Sequence, residues 1–147
     1  MKKDYQTVLT VDVTPAEAYD GIRNVTKWWT KRLEGNSHAL NDEFTVRFFD
    51  DVHVSTQRIV ELVPNKKVVW LVTHSKLNFV DKENEWNNTK VVFEIERVRD
   101  KTKVKITHEG LNSSVACFED CSAGWNHYLG GSLNALLTTG VGKPETK

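Results

Sequence analysis

The order of apolar and polar positions divides the chain into a first part rich in strands and a last part with helical spacing. Residues 5–13 largely alternate between apolar and polar side chains, which is typical of a strand with one buried face. The same signal, or a nearly continuous apolar run, recurs in five later segments: residues 44–49, 52–63, 67–74, 89–99 and 102–109. We therefore predict a run of antiparallel strands.

Two short helices are predicted between the first strand and the others. Pro15 suits the first position of a helix, which should continue to about Arg23. A second helix should begin near Val25 and carry Trp28 and Trp29. Adjacent helical residues point about 100° apart. We therefore expect one tryptophan to pack under the sheet edge and the other to line the mouth of a cavity.

The last third of the chain predicts one long amphipathic helix. From about Val115, apolar residues recur every three or four positions, and Gly140 ends the pattern. Residues 141–147 are expected to form a flexible tail. Each glycine inside a helix costs about 1 kcal/mol relative to alanine. We expect close approach of the helix to a curved sheet to explain the three that occur here: Gly124, Gly130 and Gly131.

The element order predicts a single α+β domain over residues 1–140, in which the long helix covers one face of the sheet. Strand alternation indicates which side chains face that helix. Three inward sets follow from it, namely Trp70, Val72 and His74; Val91, Phe93 and Ile95; and Val104, Ile106 and His108. Aromatic side chains with a few polar groups are typical of a small-molecule pocket, and equally of an ordinary core.

Charge and composition narrow the class of protein. The 147 residues include 20 basic and 20 acidic side chains, and this balance argues against a nucleic-acid partner. Five tryptophans against one methionine are a large aromatic content for a small domain. Trp70 and Trp125 are expected in the core. Trp86 falls in a polar loop, where it is either a mobile lid, a partner contact or a surface tryptophan with no role.

The two cysteines favour structural packing over redox or metal chemistry. Cys117 and Cys121 have a C-x-x-x-C spacing, which places both thiols on one helix face as small buried hydrophobes. The chain has no apolar run long enough for a membrane span and does not begin with a signal segment. These features predict a reduced, cytoplasmic protein.

Three polar residues have alternative interpretations. His74 and His108 close inward-facing registers, and each is either a ligand contact, a tuned general base or a core-edge histidine hydrogen-bonded within the protein. Arg58 shares a register with Val54 and Val60. If that register faces inward, Arg58 needs an anionic partner, such as a ligand carboxylate. A bulge or a bend in the strand would instead turn it outward.

Motifs for catalysis, metals and cofactors are missing from the sequence. There is no G-x-S-x-G elbow, no phosphate-binding P-loop and no H-E-x-x-H helix. The histidines do not combine with the cysteines at zinc-type spacing. We therefore predict no cofactor, no metal and no catalytic residues.

Four segments, in this order along the chain, resemble a known family. They are Val13-Thr14-Pro15-Ala16-Glu17-Ala18-Tyr19 with Trp28-Trp29; Glu61-Leu62-Val63-Pro64-Asn65-Lys66-Lys67-Val68-Val69-Trp70; Lys105-Ile106-Thr107-His108-Glu109-Gly110-Leu111; and Gly124-Trp125-Asn126-His127-Tyr128-Leu129. The chain resembles the START-like (helix-grip, SRPBCC) superfamily, and within it the domain similar to activators of the heat-shock protein 90 ATPase.

The resemblance implies a sheet of about six or seven strands wrapped around the long helix, with a cavity between them. It also implies non-catalytic binding of a small hydrophobic or amphipathic ligand of lipid, polyketide or aromatic type. The alternatives are a co-chaperone-like interaction module, with a chaperone or another protein as partner, and a cyclase- or hydrolase-type enzyme. The residues expected to contact a ligand are Trp28, Trp29, Phe48, Arg58, Trp70, His74, Phe93, His108, Trp125 and Leu129.

Overall fold

The computed structural model describes residues 3–48, 53–77, 86–113 and 118–146. The strands are β1 (Tyr5–Val11), β2 (Leu33–Gly35), β3 (Glu43–Phe48), β4 (His53–Val63), β5 (Lys67–Leu77), β6 (Lys90–Val98) and β7 (Lys101–Glu109). The first helix is α1 (Pro15–Arg23), and a 3-10 turn (Val25–Lys27) follows it. The C-terminal helix consists of α2 (Phe118–Trp125), a π-helical segment (Asn126–Leu133) and α3 (Asn134–Thr139).

The strands form one antiparallel sheet in the order β1-β7-β6-β5-β4-β3-β2. From β2 onward, each strand pairs with the next one along the chain. The first strand pairs instead with the last, so α1 and the 3-10 turn carry the chain from one sheet edge to the other. Both α1 and the C-terminal helix contact the sheet and each other. The predicted fold class, an α+β curved sheet with a long C-terminal helix, is confirmed.

Helix α1 begins where local chemistry favours a helix start. The Thr14 hydroxyl accepts a hydrogen bond from the Glu17 backbone N–H at 3.1 Å, and the Glu17 carboxylate accepts one from the Thr14 backbone N–H at 3.2 Å. Pro15 occupies the first helical position, where a missing N–H costs nothing. These interactions satisfy backbone donors that a helix start leaves open.

Trp28 and Trp29 are both buried, 0% and 2% exposed, so the expectation that only one would be buried is wrong. The predicted second helix is a single 3-10 turn that ends before them. Outside a regular helix, neighbouring side chains need not diverge by 100°. The two indoles stack with their centroids 6.0 Å apart, and both rings enter the interior.

Two irregularities in the β4–β5 pairing determine which side chains face the core. The register shifts between Thr56 and Gln57, where Thr73 on β5 is left without an opposite residue. A second shift, between Ile59 and Glu61, leaves Val60 unpaired. Such bulges change which face the following residues occupy. The buried residues of this pair are Ser55, Gln57 and Ile59 on β4 and Val68, Val69, Trp70, Val72, Ser75 and Leu77 on β5.

The C-terminal helix buries the face that its sequence predicts. Its buried side chains are Cys121, Trp125, Tyr128, Leu129, Ser132, Leu133 and Leu137. The helix ends at Gly140, whose φ of 87° lies in the left-handed region that glycine favours. The predicted start at Val115 lies outside the described residues.

The glycines of this helix do not mark close contact with the sheet, contrary to expectation. A Cβ atom added at Gly124, Gly130 or Gly131 would meet no described atom within 4 Å. Among the glycines within the described helices, the close contact is at Gly21 on α1, where an added Cβ would lie 2.6 Å from Leu137 Cδ2. The small residue that packing requires is therefore on α1, facing α3.

The residues after Gly140 are hydrogen-bonded to the rest of the domain. The Glu145 backbone N–H donates to the Trp29 carbonyl at 2.9 Å, and the Lys31 N–H donates to the Glu145 carbonyl at 2.9 Å. The Tyr128 hydroxyl donates to the Glu145 carboxylate at 3.2 Å. A flexible tail was expected over 141–147. In its described part, up to residue 146, Glu145 is hydrogen-bonded to the backbone at Trp29 and Lys31.

The cysteine and membrane predictions have different outcomes. Cys121 is buried and disulfide-bonded, so the expectation of a reduced, packed thiol is wrong at this position. Cys117 lies outside the described residues. Among the helices that the structure describes, none has the length and apolar character needed to cross a bilayer.

Candidate ligand site

Four of the five tryptophans form a stack between the sheet and the C-terminal helix. Trp29 lies at its centre, with ring centroids 5.6 Å from Trp70, 5.0 Å from Trp125 and 6.0 Å from Trp28. The planes of each pair are within 22° of parallel. Such aromatic pairs contribute about 0.5–1.5 kcal/mol beyond the area that they bury. The stack joins a strand, a helix and the segment before β2.

The predicted aromatic and aliphatic neighbours join this stack. Phe93 on β6 presents its edge to Trp70 at 4.7 Å, and Phe48 on β3 contacts Trp29 at 5.5 Å. Leu129, on the π-helical segment, is fully buried in the same core. The sheet and the helix thus supply opposite walls of one aromatic interior.

Trp86 is buried as well, which overturns its expected place on the surface. It is 3% exposed, and its ring lies nearly parallel to that of Trp125, with centroids 5.7 Å apart. Two histidines, His53 and His108, each meet the Trp86 ring edge-on at 4.7 Å. The surrounding loop is polar in sequence, but the indole turns inward. We call the following nine residues the ring cluster: Trp28, Trp29, Phe48, His53, Trp70, Trp86, Phe93, His108 and Trp125.

His108 has both ring nitrogens engaged within the protein. Trp125 Nε1–H donates to His108 Nδ1 at 3.0 Å, so Nδ1 must be unprotonated. The neutral ring then carries its proton on Nε2, which lies 2.8 Å from Thr89 Oγ1. The Thr89 hydroxyl in turn donates to the Trp86 carbonyl at 2.6 Å. This chain fixes the tautomer, as the core-histidine alternative expects.

Burial keeps His108 neutral. Desolvation, with a smaller contribution from His53, lowers the His108 pKa from 6.5 to about 3. If His108 Nδ1 were protonated, its N–H would face the Nε1–H of Trp125, and the hydrogen bond between them would be lost. His108 is therefore a structural hydrogen-bonding residue of the ring cluster rather than an available general base.

A second polar chain runs along β4. Gln57 Nε2 donates to Ser55 Oγ at 2.6 Å, and Ser55 Oγ lies 3.0 Å from His53 Nε2. Desolvation lowers the pKa of His53 to about 3, so this histidine is also neutral at physiological pH. Ser55 and Gln57 are both fully buried. The inward face of β4 is therefore polar where it meets the rings.

Three buried polar atoms beside these chains have no hydrogen-bond partner. They are the Gln57 Oε1 acceptor and the Trp70 and Trp86 Nε1 donors. An unsatisfied buried group costs about 1–3 kcal/mol, and such exceptions in a folded protein call for an unseen partner. Together they leave two donors and one acceptor unsatisfied in a largely aromatic interior.

Eight of the ten predicted site residues are brought together, and Arg58 and His74 are not. His74 is exposed because the bulge at Thr73 reverses the alternation of β5 after Val72. Arg58 is half-buried on the face opposite Gln57, in register with Glu43 on β3. Its buried Nε has no hydrogen-bond partner, but the residue lies on the face away from the ring cluster, and a ligand carboxylate at Arg58 stays a prediction.

The residues that sequence reasoning missed are His53, Ser55, Gln57, Trp86 and Thr89. Alternation along β4 did offer a signal, because Ser55, Gln57 and Ile59 share one face. The opposite register contains more apolar residues, so alternation alone leaves open which of the two faces inward. Nothing in the sequence indicates that the loop tryptophan enters the core. Within the described ranges, no three Asp, Glu, Cys or His side chains are grouped so that they could hold a metal ion.

Two surface clefts lie away from the ring cluster. One, of about 610 Å³, lies between the start of α1, the β4–β5 turn and the end of β6. The other, of about 290 Å³, lies between α1 and the C-terminal helix. Neither contains a ring-cluster residue, so the described clefts do not open onto the candidate site.

An antiparallel sheet that closes around a C-terminal helix over an aromatic interior defines a START-like, helix-grip protein. Residues 17–138 match the family model described as Activator of Hsp90 ATPase homolog 1-like protein, and the chain belongs to this family. No match was found among proteins of curated function.

Solved structures show the same fold at low sequence identity. The Aha1 dimer from Colwellia psychrerythraea has 21% identity and a TM-score of 0.75, with 93% of this chain and 97% of that chain covered. A protein from Staphylococcus saprophyticus has 16% identity and a TM-score of 0.71, covering 97% and 98%. A protein from Mesorhizobium loti has 14% identity and a TM-score of 0.67, covering 90% and 96%.

Proposed function

We propose that this protein binds a small hydrophobic or amphipathic molecule, without catalysis, between its sheet and its C-terminal helix. The observation that carries the proposal is the set of unpartnered buried atoms, Gln57 Oε1, Trp70 Nε1 and Trp86 Nε1, within an aromatic interior. An ordinary core of this size pairs its polar atoms or excludes them. A ligand with an apolar body and a small polar group would pack against the aromatic interior and supply partners for the unpartnered polar atoms.

The driving force would be the transfer of apolar ligand surface out of water. At about 25 cal/mol per Å², a ligand that buries ~200 Å² gains about 5 kcal/mol before the costs of association. Stacking on the indoles would add to this for a flat ring. Aromatic, lipid and polyketide compounds are therefore the classes to test first.

Ligand binding is testable on the intact protein. Native mass spectrometry of protein purified from its own host should reveal a copurifying small molecule. A thermal-shift screen with fatty acids, flavonoids and simple aromatic compounds should raise the melting temperature for at least one class, because a ligand that binds only the folded state stabilises it. Failure of every class in both measurements would contradict the proposal.

Two alternatives have less support. A co-chaperone role rests on the family description, and Trp86, around which an exposed patch was expected, is itself buried. An enzyme would need an ionisable group available to substrate. Both His108 nitrogens are occupied, and the Nε2 of His53 is engaged with Ser55. The cytoplasmic location stays a prediction.

A further inference from the structure

Gln57 is a buried amide with only one of its two ends used. It lies on the inward face of β4, fully buried, and its Nε2 donates to Ser55 Oγ at 2.6 Å. Its Oε1 has no partner. Because the Ser55 bond fixes one end of the amide, the carbonyl end is held as a free acceptor inside the protein.

This acceptor lies at the polar edge of the ring cluster. Gln57 is in register with Val72, and the next inward residue of β4, Ile59, is in register with Trp70. On its other side, Ser55 contacts His53, whose ring meets Trp86 at 4.7 Å. The two residues with unpartnered indole donors are thus linked to Gln57 through its own partners, Trp70 by the strand register and Trp86 through Ser55 and His53.

The polar side chains of the interior indicate which charge a ligand group bound to Gln57 can carry. In the described part of the chain, the polar residues that are at most 4% exposed carry hydroxyls, one amide and one imidazole: Thr30, Ser37, Ser55, Gln57, Ser75, Thr102, His108 and Ser132. The partly buried His53 adds a second imidazole, which desolvation keeps neutral. A carboxylate or an ammonium placed here would lack a counter-ion and would be costly to desolvate. The partner should be neutral, and it should both donate to Gln57 and accept from an indole N–H. A hydroxyl does both.

We infer that Gln57 is a specificity-determining residue that binds the hydroxyl group of a neutral ring compound, an aryl alcohol. The hydroxyl donates to Gln57 Oε1, its oxygen accepts from an indole N–H, and the ring packs against the tryptophans. This inference rests on the proposed function and names the polar group by which the same site recognises its ligand.

The test compares 2-naphthol with 2-methylnaphthalene, which have similar shape and differ in the hydroxyl. Calorimetric titration gives both dissociation constants for the wild-type protein and for Gln57→Met, which keeps the length of the side chain and removes the amide. A neutral hydrogen bond contributes about 0.5–1.5 kcal/mol, or roughly two- to tenfold in affinity. The preference for 2-naphthol over 2-methylnaphthalene should fall by about that factor in Gln57→Met.

Thr102→Val is the matched control, because Thr102 is also fully buried and hydrogen-bonded, to the Val13 carbonyl, and its strand partners, Val11 and Arg97, lie outside the ring cluster. It should lose stability and leave the ratio of the two affinities unchanged. An equal ratio in wild type and Gln57→Met, with both compounds still bound, would overturn the inference and leave the proposed function standing. In that case water alone satisfies the amide.

A second measurement needs no substitution and applies even if Gln57→Met does not fold. In ¹⁵N–¹H spectra of the wild-type protein, 2-naphthol should shift an indole N–H resonance of Trp70 or Trp86 downfield more than 2-methylnaphthalene does. Identical shifts would overturn the inference. Binding of lipids but of neither naphthalene would also overturn it, whereas failure of every compound would overturn the proposed function as well.

Discussion

At the residue scale, hydrogen bonding decides what the buried histidines do. His108 could have been a ligand contact or a core residue, and its two bonded nitrogens support the second role. Its position facing inward on β7 could be predicted from strand alternation. Its partners Trp125 and Thr89 lie 17 and 19 residues away in sequence, and no local pattern identifies them.

His108→Phe should destabilise the protein by about 1–3 kcal/mol. The ring is kept, but Trp125 Nε1 loses its acceptor and becomes an unsatisfied buried donor. Urea denaturation of both proteins measures the free energy of unfolding. Thr107→Val, the neighbouring residue on the other face of β7, serves as the control and should change it by less than about 0.5 kcal/mol. Equal effects of the two substitutions would contradict the hydrogen-bond assignment.

Trp86→Ala should cost about 3–5 kcal/mol, as large-to-small substitutions of buried aromatic residues do. The ring stacks on Trp125 and separates two histidine edges, so its loss leaves a cavity. Val98→Ala, which truncates a side chain that is 42% exposed, is the comparison. A near-neutral result for Trp86→Ala would restore the surface role that the loop sequence suggests.

At the element scale, backbone conformation separates glycines that the sequence cannot tell apart. Gly124 lies inside the C-terminal helix and Gly140 terminates it, and an added Cβ would find open space at both. Only Gly140 has a positive φ, of 87°. The reason for a glycine at position 124 is therefore not packing, and we have no physical account of it.

Gly124→Ala should stabilise the protein by about 0.5–1 kcal/mol, because alanine lowers the entropy of the unfolded chain and fits a helix interior. Gly140→Ala should destabilise it by about 1 kcal/mol, because an L-residue is strained in the left-handed region. Thermal unfolding of the two variants and of the wild-type protein measures both changes in stability. A shift of the same sign in both would show that conformation does not separate these sites.

The bulges of β4 and β5 also act at the element scale. A strict alternation places His74 with Trp70 and leaves the facing of Arg58 undecided between two registers. The bulge at Thr73 turns His74 outward, because an extra residue reverses which face the next side chain occupies. Arg58 faces away because Ser55, Gln57 and Ile59 alternate into the core. Bulges depend on pairing with a neighbouring strand, so a single strand's sequence does not reveal them.

At the scale of the whole molecule, desolvation of two histidines makes stability depend on pH. His53 and His108 each have a folded pKa of about 3, below the ordinary 6.5 of the unfolded chain. Between these values the unfolded state binds more protons, so stability falls as pH decreases below about 6.5 and is constant above it. The slope is up to about 1.4 kcal/mol per pH unit for each histidine.

Urea denaturation between pH 7.5 and 5 should show this decline before most carboxylates titrate. In His108→Phe the slope over this range should fall to about half, because one of the two titrating groups is removed. Thr107→Val should keep the full slope. A wild-type free energy of unfolding that stays constant down to pH 5 would mean that the histidines are not buried in neutral form.

The sequence by itself determined the α+β class, the face of the C-terminal helix, the family resemblance and the order of elements except around the second helix and β2, because periodicity and local segments encode them. It also identified most of the aromatic interior, including Trp29, Trp70 and Trp125. Tertiary structure alone decided that Trp86 is buried, that His74 and Arg58 turn away, and that Gln57 holds a free acceptor. These outcomes depend on bulges, on pairing between distant strands and on hydrogen bonds across the core, and a linear pattern carries none of them.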